Sequence, residues 1–267
     1  MTGVPALNAY LCEMLNNSYQ AQLSPGTQLT ITAGATQGIF TAITAMVHAG
    51  QEVIVFDPAY DCYKPAIQLA GGKVRALPLD QHFNIPWDIL AEAISDRTGL
   101  IIVNTPHNPG GSIMERSDWD RLAALTASRS IPILSDEVYH EMTYDGLEHC
   151  SVLSCQALRD RALATFSFGK SFHITGWKVG YIAGAESLMH EFQKVHQFNV
   201  FSVHRPSQVG LLEYMKKAPE ARGEIAPFYE KKRNVLREAL TDTPLRALPC
   251  QGSYFCLFDY SALSREK

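Results

Sequence analysis

The sequence predicts an α/β fold: a mostly parallel sheet with helices on both faces. Three observations carry that expectation. Short, continuous apolar runs recur along most of the chain. Helix-patterned segments separate them, as buried parallel strands require. Polar, aromatic and glycine-rich clusters follow the runs again and again, where an open parallel sheet binds its ligands.

The strand candidates, in order, are Leu29 to Thr32, Val53 to Phe56, Val74 to Leu77, Leu100 to Asn104, Ile131 to Ser135, Ala162 to Ser167 and Val179 to Ala183. Between them lie helix candidates near 36–49, 61–70, 87–95 and 115–129. Alternation of this kind defines the doubly wound class. After Tyr181 the pattern changes. Ser187 to Phe198 and Pro206 to Lys217 read as helices, Phe228 to Leu240 as a charged helix, and Ser253 to Asp259 as a strand. The division expected is a large domain over 1–205, then linking helices and the start of a small α/β domain over 206–267.

The 267 residues suffice for a large core. A net charge of -4 argues against general nucleic-acid binding. No run is long and apolar enough to span a membrane, and the N-terminus carries no secretory pattern. The six cysteines show neither C-x-x-C nor zinc spacing, and the nine histidines show no metal-ligand spacing. A cytoplasmic protein with reduced thiols and no metal is the expectation.

Five strand ends carry unusual residues. Gly34-Ala35-Thr36 joins the first strand to a helix, where small residues and free N–H groups suit a phosphate. A plain strand–helix turn reads equally well, and no P-loop follows. Asp57-Pro58-Ala59-Tyr60 follows the second strand; Tyr60 and Tyr63 read first as packing residues. Asn104 to Gly111 is a turn by composition, one that can aim Asn108 inward. Asp136 closes the fifth strand, either as a helix cap or as the partner of a buried cation, and Tyr139 shares its side if the turn is helical. Ser167 to Tyr181 places Lys170 and Lys178 around a glycine-bearing turn, with the Ser167 hydroxyl three residues before the first lysine. One amine can form a Schiff base, while a second cation and a hydroxyl can hold a phosphate. A lysine, a carboxylate 34 residues before it, a phosphate-type turn and an aromatic face match the groups of pyridoxal 5'-phosphate (PLP).

The ordered motifs T-A-G-A-T, D-P-A-Y-D-C-Y, N-T-P-H-N-P-G-G, S-D-E-V-Y, S-F-G-K and G-W-K-V-G-Y resemble those of the fold-type I, class I/II aminotransferases. The similarity is greatest to bacterial methionine aminotransferases and kynurenine/glutamine aminotransferases. It implies a PLP-binding large domain in a homodimer that takes an amino acid and a 2-oxo acid. It further implies that Lys170 carries PLP and moves the substrate proton, and that Asp136 pairs with the ring nitrogen. Tyr139 and Asn108 face the phenolic oxygen, Tyr60 stacks on the ring, and Ala35, Thr36, Ser167 and Lys178 hold the phosphate. His204, in F-S-V-H-R-P-S-Q, corresponds to a loop reaching the partner subunit's substrate pocket; an exposed loop histidine is the competing reading. Asn108 would also meet the substrate.

The family pattern also implies segments beyond this sequence. Met1-Thr2-Gly3-Val4-Pro5 resembles a stretch just ahead of the first large-domain helix. No segment matches the surroundings of the arginine that grips the substrate carboxylate. The chain thus reads as part of a longer enzyme. Transamination of methionine or an aromatic amino acid is the leading function. Its rivals are a cysteine-conjugate C–S β-lyase on the same scaffold and a non-catalytic PLP-binding fragment.

Overall fold

The computed structural model describes residues 2–264; Met1 of the N-terminal motif and the last three residues lie outside them. Seven strands form the main sheet: β1 (Leu29–Thr32), β2 (Glu52–Asp57), β3 (Lys73–Pro78), β4 (Thr98–Asn104), β5 (Ile133–Asp136), β6 (Ala162–Ser167) and β7 (Gly180–Gly184). Their spatial order is β1-β7-β6-β5-β4-β2-β3. Every pairing from β3 to β6 is parallel, while β7 runs antiparallel to both β6 and β1. The mostly parallel α/β expectation therefore holds, with β7 as the reversed strand.

The period of two along each strand divides the core between the faces. From β2 and β4, Ile54, Phe56, Ile101 and Val103 join one cluster; Val53, Val55, Leu100 and Ile102 join the other. The first face is covered by α1 (Pro5–Tyr19), whose Leu7, Leu11 and Leu15 are fully buried. The second receives α2 (Ala35–Met46) and α3 (Tyr63–Leu69) through Ile39, Ile43 and Ile67. Next in the chain, α4 (Trp87–Ala93) and α5 (Arg116–Thr126) return to the first face with Leu90, Trp119 and Leu122. A short α6 (Phe168–Ser171) precedes β7. Then α7 (Glu186–Asn199) packs on the second face through Met189 and Phe192. Leu211, Leu212 and Met215 of α8 (Arg205–Lys217) close the first face beside α1.

The C-terminal part differs from its expectation. A helix α9 (Ile225–Ala239) forms, but Ser253 to Asp259 is not one strand. Only β9 (Phe258–Asp259) pairs, with β8 (Arg246–Ala247). Ser253 adopts a left-handed backbone (φ 63°), and its amide bonds the Met142 carbonyl, so the chain bends there. The fifth strand likewise begins at Ile133 rather than Ile131, because Pro132 between them has no N–H for the ladder.

Candidate active site

Parallel strands deliver their carboxyl ends to one edge, and the reversed β7 brings its start to the same edge. Residues between β6 and β7 are consequently held there from both sides, Lys170 and Lys178 among them. One cavity is lined by Gly34, Ala35, Thr36, Tyr60, Asn104, Asn108, Asp136, Tyr139, Ser167, Lys170, Thr175 and Lys178. Nine residues singled out from the sequence meet in it: Ala35, Thr36, Tyr60, Asn108, Asp136, Tyr139, Ser167, Lys170 and Lys178. His204 does not line it. That residue is exposed just before α8, with Nδ1 2.9 Å from Ser207 Oγ.

One end of the cavity is built for an anion. Ala35 and Thr36 open α2, so their N–H groups have no carbonyl partner within the helix. Gly34 precedes them at φ 81°, ψ 166°, a region that side chains oppose. A Cβ there would lie in ordinary van der Waals contact with Lys178 (3.4 Å to Cε), so the backbone angle and not crowding opposes a side chain. Lys178 itself is left-handed (φ 53°), uncommon for a non-glycine residue. Thr36 Oγ1 lies 3.0 Å from Tyr60 Oη.

At the other end is Asp136. It is buried, and no ion pair forms to it among the described residues. Burial raises its pKa to about 6, against the hydrogen bonds that hold it down. Tyr63 Oη donates to Oδ2 at 2.5 Å, and the Val138 amide reaches Oδ1 at 3.3 Å. A buried carboxylate without a counter-ion is ready for a cationic ligand group.

Lys170 Nζ lies 5.5 Å from the centre of the Tyr139 ring and 4.7 Å from that of Tyr254. It donates to the Tyr254 hydroxyl. Burial opposes ionisation of Tyr254, but the bonds from Lys170 and Tyr139 outweigh it and lower its pKa. Burial raises that of Tyr139.

Two loops are tied together beside the cavity. Asn104 Nδ2 donates to the Asp136 carbonyl (2.9 Å), and its Oδ1 accepts from the Asn108 amide (2.6 Å). His107 Nε2 is 3.0 Å from the Pro58 carbonyl, and its Nδ1 accepts from the Gly110 amide at 3.1 Å. Burial lowers the His107 pKa to about 4, so the ring stays neutral and can serve both ends.

Sequence reasoning missed Tyr63, Asn104 and Tyr254. Tyr63 had a signal: three residues after Tyr60, it falls on the same side of a helical turn. Asn104 opens the N-T-P-H-N-P-G-G motif, but Tyr254 had no signal, since its role rests on contacts far along the chain. Arg222 and Arg233 are engaged with Glu141 and Asp145 rather than with the cavity.

A buried acid, an amine and the free N–H groups of a helix start surround one cavity. The family model for aminotransferase class I and II matches residues 1–267. The chain belongs to that family, whose members are PLP enzymes. It is 43% identical to the methionine aminotransferase of Escherichia coli (strain K12) over 265 residues, 99% of this chain and 69% of that protein. It is 31% identical to kynurenine–oxoglutarate transaminase 1 of Rattus norvegicus, over 97% of this chain and 66% of that one. An E. coli structure assigned a methionine aminotransferase function superposes with a TM-score of 0.96 at 43% identity, covering 99% of this chain and 70% of that chain. The Thermus thermophilus aspartate aminotransferase double mutant gives 0.92 at 28% identity, over 99% and 69%. The chain thus spans about two thirds of the length of these relatives.

Proposed function

We propose that the protein is a PLP-dependent aminotransferase exchanging an amino group between an L-amino acid, methionine or an aromatic preferred, and a 2-oxo acid. The observation that carries this is the buried Asp136, without a counter-ion among the described residues, in the cavity that also holds Lys170. The donor set fits the cofactor. With PLP bound, Asp136 would pair with the ring nitrogen, Ala35, Thr36, Ser167 and Lys178 would hold the phosphate, Tyr60 would cover the ring, and Tyr139 and Asn108 would meet the phenolic oxygen. Bound PLP supplies an aldehyde for amine exchange and a ring that accepts electrons from the substrate's α-carbon.

The chain's own groups do the rest. Lys170 Nζ would hold the cofactor and would move the proton at the substrate's α-carbon. Asp136, charged, would stabilise positive charge on the ring nitrogen. Asn104 keeps Asn108 in place through the amide bond described above. Residues 1–205 form the cofactor domain and 206–267 the linking helices and start of a second domain. The working state is a cytoplasmic homodimer, with His204 directed at the partner's substrate pocket.

No observation favours the C–S β-lyase, and the assembled site speaks against a non-catalytic fragment. The test is turnover with PLP. Methionine and a 2-oxo acid should yield the new amino acid in proportion to oxo acid consumed. Pyruvate released from a cysteine conjugate without added oxo acid, and no amino transfer, overturns the reading.

A further inference from the structure

The groups facing the Asp136 carboxylate come from three elements. Tyr60 and Cys62 come from the β2–α3 connection and Tyr63 from the start of α3, Glu137 and Tyr139 from its own loop, and Lys170 from α6. Of these, only Tyr63 makes a direct hydrogen bond to the carboxylate among the described residues. Its ring is 3% exposed and meets Tyr60 edge-on, 5.6 Å between centres, so the hydroxyl has little freedom to point elsewhere.

We propose that Tyr63 is the positioning residue of Asp136: its hydroxyl occupies Oδ2, holds the buried carboxylate in its charged form, and leaves Oδ1 as the oxygen for a cationic ring nitrogen. The proposal rests on the PLP reading above for the identity of that cation, but its effect on the carboxyl group does not. Charge on Asp136 has few other supports. The Val138 amide is distant at 3.3 Å, Glu137 is a like charge and opposes ionisation, and Lys170 contributes less than either hydrogen bond. Tyr63 keeps its own proton, because burial and the facing carboxylate both raise its pKa. It is therefore a donor throughout the working pH range. With Asp136 near a pKa of about 6, loss of one bond to a charged group decides whether it is charged at neutral pH.

The experiment uses the full chain with [13C]-labelled aspartate, followed by NMR in the apo state, and PLP titrations by absorbance across the same pH range. Asp136→Asn identifies the resonance. Tyr63→Phe keeps the packed ring and removes the donor. It should raise the Asp136 midpoint by about one to two units, and weaken PLP binding at neutral pH about tenfold or more. In the Asp136→Asn background, Tyr63→Phe should change PLP affinity less than twofold. Tyr63→3-fluorotyrosine, a stronger donor of nearly the same shape, should move the midpoint down. If Tyr63→Phe and the fluorinated variant both leave the midpoint within a few tenths of a unit, the proposal is wrong. Failure of the parent chain to bind PLP at any pH sinks the cofactor reading instead, while the carboxyl titration still decides the role of Tyr63.

Discussion

Lys170 and Asp136 are separated along the sequence yet line one cavity, and each carries a prediction. Borohydride treatment with PLP should fix the label on Lys170, and peptide mapping that finds it on Lys178 reverses the assignment. Lys170→Ala should lose at least about 100-fold in transamination, the scale of a positioned proton-transfer group, while still holding PLP through the anion end. For Asp136 the sign of the pH effect is unusual. Its folded pKa, about 6, lies above the ordinary 3.8, so the folded state binds the proton more tightly. Asp136's contribution to apo stability should then be greatest below pH ~4 and fall by roughly 2–3 kcal/mol as pH rises through 6. Asp136→Asn retains an acceptor for Tyr63 and should be more stable than the parent at neutral pH by that amount. The difference should vanish near pH ~4. Denaturant titrations at three pH values check this; an equal or lower stability at neutral pH contradicts it. Such a cost in the empty protein is the mark of a site shaped for a bound cation.

At the level of elements, the start of α2 and the β6–β7 connection must approach closely for the anion end to exist. Gly180 shows how closely: a Cβ there would meet the Phe166 carbonyl at 2.5 Å and the Ala35 amide at 3.1 Å. Gly34→Ala forces a side chain onto φ 81° and should cost about 1–3 kcal/mol in stability. It should weaken PLP binding by about tenfold or more, with a smaller loss for pyridoxal, which lacks the phosphate. Equal losses for the two ligands would place the phosphate elsewhere. The two loops joined by His107 respond to acid in the opposite sense from Asp136. Its pKa falls from 6.5 to about 4 on burial, so its contribution is full above 6.5 and is lost as pH drops toward 4. His107→Ala should remove this acid sensitivity and loosen Asn108, seen as faster amide exchange over 104–111.

Over the whole molecule, the apolar surface is uneven. Phe172, Trp177, Tyr214 and Phe228 line an open groove between the β6–β7 connection and helices α8 and α9. Elsewhere on the surface, at the end of α7 and just after it, Phe198 and Phe201 are 86% and 60% exposed. Exposed large apolar groups of this kind drive association. The chain should self-associate with rising concentration in light scattering, and Phe198→Asp with Phe201→Asp should reduce it without altering PLP binding. Scattering that stays monomeric up to high concentration refutes the expectation. The C-terminal stretch adds a two-residue pair, β8 with β9, too short to stand alone. It is anchored instead by Arg233, which bonds Asp145 at 2.6 Å and the Cys250 carbonyl at 2.7 Å.

The strand runs, the helices between them and the polar strand ends were legible in the sequence because each is a local property. Burial on both faces makes a run apolar, and binding chemistry concentrates where strands stop. The motif order then sufficed to assemble nine cavity residues, Lys170 and Asp136 among them. What only the tertiary structure decided depends on groups distant in the chain. The reversal of β7 depends on its pairing with β1 and β6, not on its own composition. The bend at Ser253 depends on the Met142 carbonyl that receives its amide. Tyr63 reads as a core aromatic by composition. It becomes part of the site because the fold sets its hydroxyl 2.5 Å from a carboxylate 73 positions later, where burial lets one hydrogen bond govern the charge.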